Sequence, residues 1–146
     1  MVLLDTNVAS ELVKSPRDRS VEEWFGGIPS KQLHTSAITV AELFEGVHRL
    51  PDGSRKISLA DAIDRILRVV FPGRVLPFSE SAARVFARVG AMRRESGRPI
   101  EFADAQIAAI PLIAGAELAT RNTPYFEGVG LKLTNPWNYG GVGFNV

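Results

Sequence analysis

Short apolar runs alternate along this chain with longer stretches in which apolar side chains return every three or four positions. Val2-Leu3-Leu4 ends at Asp5, and Asp5-Thr6-Asn7 offers helix-capping side chains ahead of Val8, Leu12 and Val13. That opening predicts a strand, a turn and a helix. A second helix is expected from Ser20 through Phe25, capped by Ser20, with Glu22 and Glu23 in its first turn and Gly26-Gly27 as its stop. Its Val21, Trp24 and Phe25 face the core. Gln32-Leu33-His34-Thr35 predicts a weak strand, followed from about Thr39 by a helix whose Val40, Leu43, Phe44 and Val47 form an apolar stripe. Glu42 is expected beside that stripe, in the first turn.

Pro51-Asp52-Gly53-Ser54 is a turn, after which Ile57, Leu59, Ile63, Ile66, Leu67 and Val70 recur at helical spacing until Pro72-Gly73. Arg74-Val75-Leu76-Pro77 predicts a strand. Ser79 then caps a long helix with Ala82, Val85, Phe86, Val89 and Met92 on its inner face, and Arg84, Arg88, Arg93 and Arg94 are expected on its solvated face. The loop Gly97-Arg98-Pro99 precedes a helix carrying Asp104, in which Pro111 removes a backbone donor and predicts a kink or an early end. Gly115 closes this helix, Glu117-Leu118-Ala119-Thr120 is a strand leading into Arg121-Asn122, and Leu131-Lys132-Leu133 is a last strand before Asn135-Pro136-Trp137.

Strands this short, alternating with longer helices, require the helices as crossovers between parallel neighbours. The expected fold is α/β: a three-layer α/β/α sandwich with a central, mostly parallel sheet. In such sheets ligands bind beyond the carboxyl ends of the strands. Asp5 ends the first strand, Asn122 follows the fourth, and Glu42 and Asp104 are expected in first turns of helices entered from that edge. No linker or repeat divides the chain, so one domain over residues 1–137 is expected, with the glycine-rich stretch 138–146 as a flexible tail.

Composition narrows the chemistry. With 146 residues and 45% hydrophobic side chains, the chain can bury a sizeable core. The longest apolar candidate, Ala103 to Ala119, is broken by Asp104, Gln106 and Glu117 and falls short of the roughly 20 residues of a membrane span. The start has no basic region or cleavage motif, so secretion is not expected. Without cysteine, a metal here must be held by oxygen or by His34 and His48, whose separation lacks ligand spacing. Hard cations are favoured. Setting aside Asp5, Glu42 and Asp104 leaves 13 acids against 17 bases, thirteen of them arginines, a balance that permits a nucleic-acid substrate.

Asp5, Glu42 and Asp104 each lie beside apolar residues, which makes them candidates for one buried cluster. Two carboxylates 4 Å apart repel by about 4 kcal/mol at an effective dielectric near 20, so such a cluster requires a cation or protons. Singly, Asp5 reads as a helix cap, Asp104 and Glu42 as acids complementing helix dipoles, and Asn122 as a turn residue. Their conjunction points instead to a metal.

At these residues the chain resembles the PIN domains, in particular the ribonuclease toxins of VapBC type and the similar FitB proteins. The resemblance runs from Val2 to about Trp137. It rests on Leu4-Asp5-Thr6-Asn7, Ser36-Ala37-Ile38-Thr39-Val40-Ala41-Glu42-Leu43, Ala103-Asp104-Ala105-Gln106-Ile107-Ala108-Ala109, Ala119-Thr120-Arg121-Asn122-Thr123 and Asn135-Pro136-Trp137, in this order and spacing. It implies a cytoplasmic, Mg2+- or Mn2+-dependent endoribonuclease, usually dimeric, silenced by a cognate antitoxin. Asp5, Glu42 and Asp104 match the family's acidic metal ligands, and Asn122 falls on a fourth position where relatives carry Asp or Asn. An amide there orients water without adding charge. Thr6 and Thr120 match hydroxyl positions beside the acids. RNA as substrate is implied by the resemblance alone; products with 5′-phosphate and 3′-hydroxyl ends follow by analogy with two-metal nucleases.

Two alternatives stand beside this reading. A phosphatase of haloacid dehalogenase type also places an Asp after its first strand, but wants a second Asp where this chain has Asn7. A non-catalytic PIN-like module binding RNA or protein is the other, suggested by Asn122 and opposed by the intact acidic trio.

Overall fold

The computed structural model describes residues 1–140; the expected tail falls, from residue 141 on, outside the described residues. Five parallel strands form the sheet: β1 (Val2–Leu4), β2 (Leu33–Ser36), β3 (Val75–Leu76), β4 (Glu117–Ala119) and β5 (Leu133–Thr134). Their order is β3-β2-β1-β4-β5. The α-helices are α1 (Thr6–Glu11), α2 (Arg19–Gly26), α3 (Ala37–His48), α4 (Ser54–Val69), α5 (Glu80–Glu95) and α6 (Phe102–Ala114).

Successive side chains of a strand point to opposite faces, and β1 sorts the core accordingly. Val2 and Leu4 join Val8, Leu12, Trp24, Leu33, Leu43 and Ile63, the layer contributed by α1 to α4. Leu3 joins Ala82, Val89, Ile107, Leu118 and Phe126, the layer of α5 and α6. The three-layer sandwich expected from the strand–helix alternation is therefore present. With β1 central, the chain steps outward to β2 and β3, then returns to the other side of β1 at β4. That reversal opens a crevice between the carboxyl ends of β1 and β4, where α/β sheets bind ligands.

Several boundaries differ from expectation, each for a local reason. The α2 cap is Asp18, whose side chain accepts from the Val21 N–H, so the helix starts ahead of Ser20. Ser36 accepts from the Thr39 N–H at 3.1 Å and starts α3 at Ala37, which puts Glu42 in the second turn rather than the first. α6 continues past Pro111 to Ala114 and ends at Gly115, in the left-handed conformation (φ 67°) that glycine adopts without strain. Backbone pairing of Leu118 with Leu133 and of Ala119 with Thr134 sets β5 later than the Leu131–Leu133 run. On α5, Met92 is exposed and Arg93 is buried, the reverse of the expected faces. His34 is buried, with Nδ1 3.0 Å from the Gln32 carbonyl, which fits its structural reading.

Candidate functional site

The crevice at the carboxyl ends of β1 and β4 contains a cavity of about 280 Å3 lined by Asp5, Thr6, Asn7, Ser10, Glu42, Asp104 and Asn122. The four residues singled out in the sequence thus border one space. Asp5 reaches it as the cap of α1, Glu42 from the second turn of α3, Asp104 from the first turn of α6, and Asn122 from the loop after β4.

Asp5 is buried, and both its oxygens are engaged: Oδ1 accepts from the Thr6 N–H at 2.7 Å and Oδ2 from the Thr120 hydroxyl at 2.7 Å. The Thr120 hydroxyl in turn accepts from the Asn122 N–H at 3.1 Å, which ties the β4 loop to the acid. Glu42 Oε1 accepts from the Thr6 hydroxyl at 2.7 Å. With its proton so used, Thr6 Oγ1 accepts from Thr39 Oγ1, 3.2 Å away, and Thr39 Oγ1 accepts from Ser36. A chain of hydroxyls, Ser36 to Thr39 to Thr6, therefore ends on Glu42 and orients it. This relay was not foreseen, although the three-residue spacing of Ser36 and Thr39 is the signal of a helix cap. The Asp104 carboxylate has no hydrogen-bond partner among the described residues.

The acids feel one another. Burial pushes the Asp104 carboxyl up, and the charges of Asp5, Glu42 and Glu101 add to it, to about 6. Burial also raises Asp5; its Thr120 and Thr6 hydrogen bonds work against that, and Glu42 adds to it. Glu101, the cap residue of α6, was not anticipated as part of this field. Asn7 supplies an amide oxygen to the Arg121 N–H at 3.3 Å, in place of the second acid a phosphatase would need. The Arg121 guanidinium lies 4.8 Å from the Trp137 ring centroid, a cation–π contact beside the crevice.

A pH dependence of stability follows. Folding raises the Asp104 carboxyl from 3.8 to about 6, so the folded protein binds this proton more tightly and loses stability as pH climbs between those values. Above pH 6 the cost is complete: about 3 kcal/mol from the shift, reduced to about 1–2 kcal/mol by solvent screening of a half-buried group. In chelator, Asp104→Asn should therefore melt higher than the parent at pH 7–8 and match it below pH 4. Parallel melting curves across this range would refute the coupling.

Known proteins resemble this chain in sequence and in fold. The family model described as PIN domain matches residues 2–130. The chain is 42% identical to a VapC ribonuclease of Sinorhizobium fredii, over 94% of this chain and 98% of that one. It is 36% identical to Toxin FitB of Neisseria gonorrhoeae, over 94% and 99%. The solved structure of FitAB bound to IR36 DNA fragment superimposes with a TM-score of 0.87 at 35% identity, covering 94% of this chain and 96% of that one. A family pattern over most of the sequence and relatives matched along nearly their whole length make this protein a member of the PIN-domain family, on its VapC and FitB branch.

Proposed function

We propose that this protein is a cytoplasmic Mg2+- or Mn2+-dependent endoribonuclease, the toxin of a toxin–antitoxin pair, acting as a homodimer. The observation that carries the reading is the meeting of Asp5, Glu42, Asp104 and Asn122, from four separate segments, around one cavity at the sheet's switch point. A VapC ribonuclease and Toxin FitB among the relatives support the activity and the role. The FitAB complex supports a protein partner. Among the described residues no helix is long and apolar enough to cross a membrane.

The donor set fits a hard cation. It consists of carboxylate, amide and hydroxyl oxygens, and burial together with mutual repulsion leaves Asp5 and Asp104 poorly stabilised as anions without a positive charge. Among the described residues no three acidic or histidine side chains already stand in a ligating group. Magnesium does not need one, because it retains several waters and is anchored by one or two carboxylates. Asp5 and Asp104 would hold the ion as principal ligands, with Glu42 as ligand or water-positioning group and Asn122 as a neutral auxiliary. When bound, the ion supplies charge neutralisation at the phosphodiester and a more acidic water. The chain's own part is orientation: Thr6 and Thr120 fix the Asp5 carboxylate, the hydroxyl relay fixes Glu42, and the Asn122 amide directs water or a phosphate oxygen.

The test is incubation of purified protein with mixed structured RNAs in Mg2+ or Mn2+, with and without chelator. We expect cleavage in either metal and none with chelator, giving 5′-phosphate ends. Tight RNA binding without turnover would favour a non-catalytic module, and hydrolysis of small phosphate esters alone would favour the phosphatase.

A further inference from the structure

Next to the acidic cavity lies a second one of about 240 Å3, lined by Arg93, Pro99, Ile100, Glu101, Asp104 and Tyr125. It is smaller than the roughly 300–1,000 Å3 of sites for drug-sized molecules, and it shares Asp104 with its neighbour. Two of its polar groups have capacity to spare. Arg93 is 95% buried, and its Nε and Nη1 donate to the carbonyls of Arg98, Pro124 and Glu127, whereas Nη2 has no acceptor among the described residues. No buried side-chain nitrogen is left unpaired there, so Nη2 is the edge of the guanidinium that meets open space. Glu101 occupies the cap position of α6, yet its carboxylate makes no capping bond and no ion pair among the described residues. Tyr125, half exposed, borders the same cavity, and Pro99 and Ile100 add apolar surface to its lining.

We propose that this cavity binds a guanine base of single-stranded RNA, the nucleotide adjoining the phosphate that a cation at Asp5 and Asp104 would neutralise. The inference rests on the nuclease reading above and adds a base preference to it. Proteins read single-stranded RNA by stacking splayed bases on aromatic rings and bonding their edges, and Tyr125 offers the ring. Guanine carries two parallel N–H donors on one edge, which match the two oxygens of a carboxylate, and the O6 and N7 acceptors, which match a guanidinium. Glu101 and Arg93 provide that pair. Adenine and the pyrimidines lack the double donor. Because Asp104 borders both cavities, a base seated here sets which phosphate reaches the acids.

The experiment compares fluorescently labelled short unstructured RNAs, differing only by G or A at one position, for binding to the chelator-treated protein at low salt. We expect about tenfold tighter binding of the G-containing RNA, within the range of one bidentate base contact. Glu101→Gln should bring the two affinities together, and Tyr125→Ala should weaken both by about tenfold. Both side chains are exposed, so melting curves will show these variants folded. Equal affinities in the parent, no RNA binding, or a G preference that survives Glu101→Gln would overturn the proposal. Cleavage assayed in parallel separates the two readings: G-selective binding without cutting removes the nuclease and leaves the subsite, while cutting without G selectivity does the opposite.

Discussion

Asp5→Asn is expected to slow RNA cleavage at least about 100-fold while leaving the protein folded. Removal even of residues that merely orient metal ligands costs 10–100-fold in such centres, and Asp5 would be a ligand itself. Asparagine keeps an oxygen for the Thr6 N–H or for the Thr120 hydroxyl, so the cap of α1 largely survives. It also removes a buried charge whose carboxyl is raised by desolvation and by Glu42. The melting temperature in chelator should therefore hold or rise while activity falls, a separation that unfolding cannot produce. A variant that cuts RNA at the parent's rate would sink the assignment of Asp5.

That opposition between stability and activity explains what was legible in the sequence and what was not. Asp5 was placed correctly because an apolar run closed by an acid and two capping residues allows few structures besides strand, turn and helix. Glu42 lies one turn deeper in its helix than the sequence predicts because the apolar stripe points to a start near Thr39, whereas the Ser36 hydroxyl reaches the Thr39 N–H and starts the helix at Ala37. The start of β5 depended on backbone pairing with Leu118 and Ala119, which side-chain alternation does not encode. Even the convergence of the acids was readable only as a possibility of topology: each one alone is an ordinary cap or dipole residue. The cavity at Tyr125 and Glu101 was invisible, since it arises where the loop before α6 meets the turn after β4.

Arg93 is the largest departure, and Arg93→Ala is expected to destabilise the fold by about 3 kcal/mol, seen as a drop of roughly 10 °C in melting temperature. Helical spacing from Val89 allows either position 92 or 93 to face inward, and aliphatic Met92 is the natural choice from pattern alone. The guanidinium prevails because it meets three carbonyls: Arg98 at 2.6 Å, Glu127 at 2.8 Å and Pro124 at 3.4 Å. Two of these lie more than 30 residues away in sequence, beyond any local pattern. A buried cation costs several kcal/mol unless its donors are met, and here oriented carbonyl dipoles meet the Nε and Nη1 donors in place of a carboxylate. Alanine would remove the donors from the part-buried carbonyls of Arg98 and Glu127, while Pro124 keeps its bond from Arg98 Nη2 at 3.0 Å, and the loss of about 1–1.5 kcal/mol per bond adds to the lost packing of the buried side chain. The same three bonds join the end of α5 to the loop that leads into α6 and to the turn after Asn122, so the loss should also loosen the approach of Asp104 and Asn122 to one another. Arg93→Lys tests the geometry separately: it keeps the charge but not the planar fork, and should recover less than half of the stability. An Arg93→Ala protein melting within about 2 °C of the parent would show that the clamp holds nothing together.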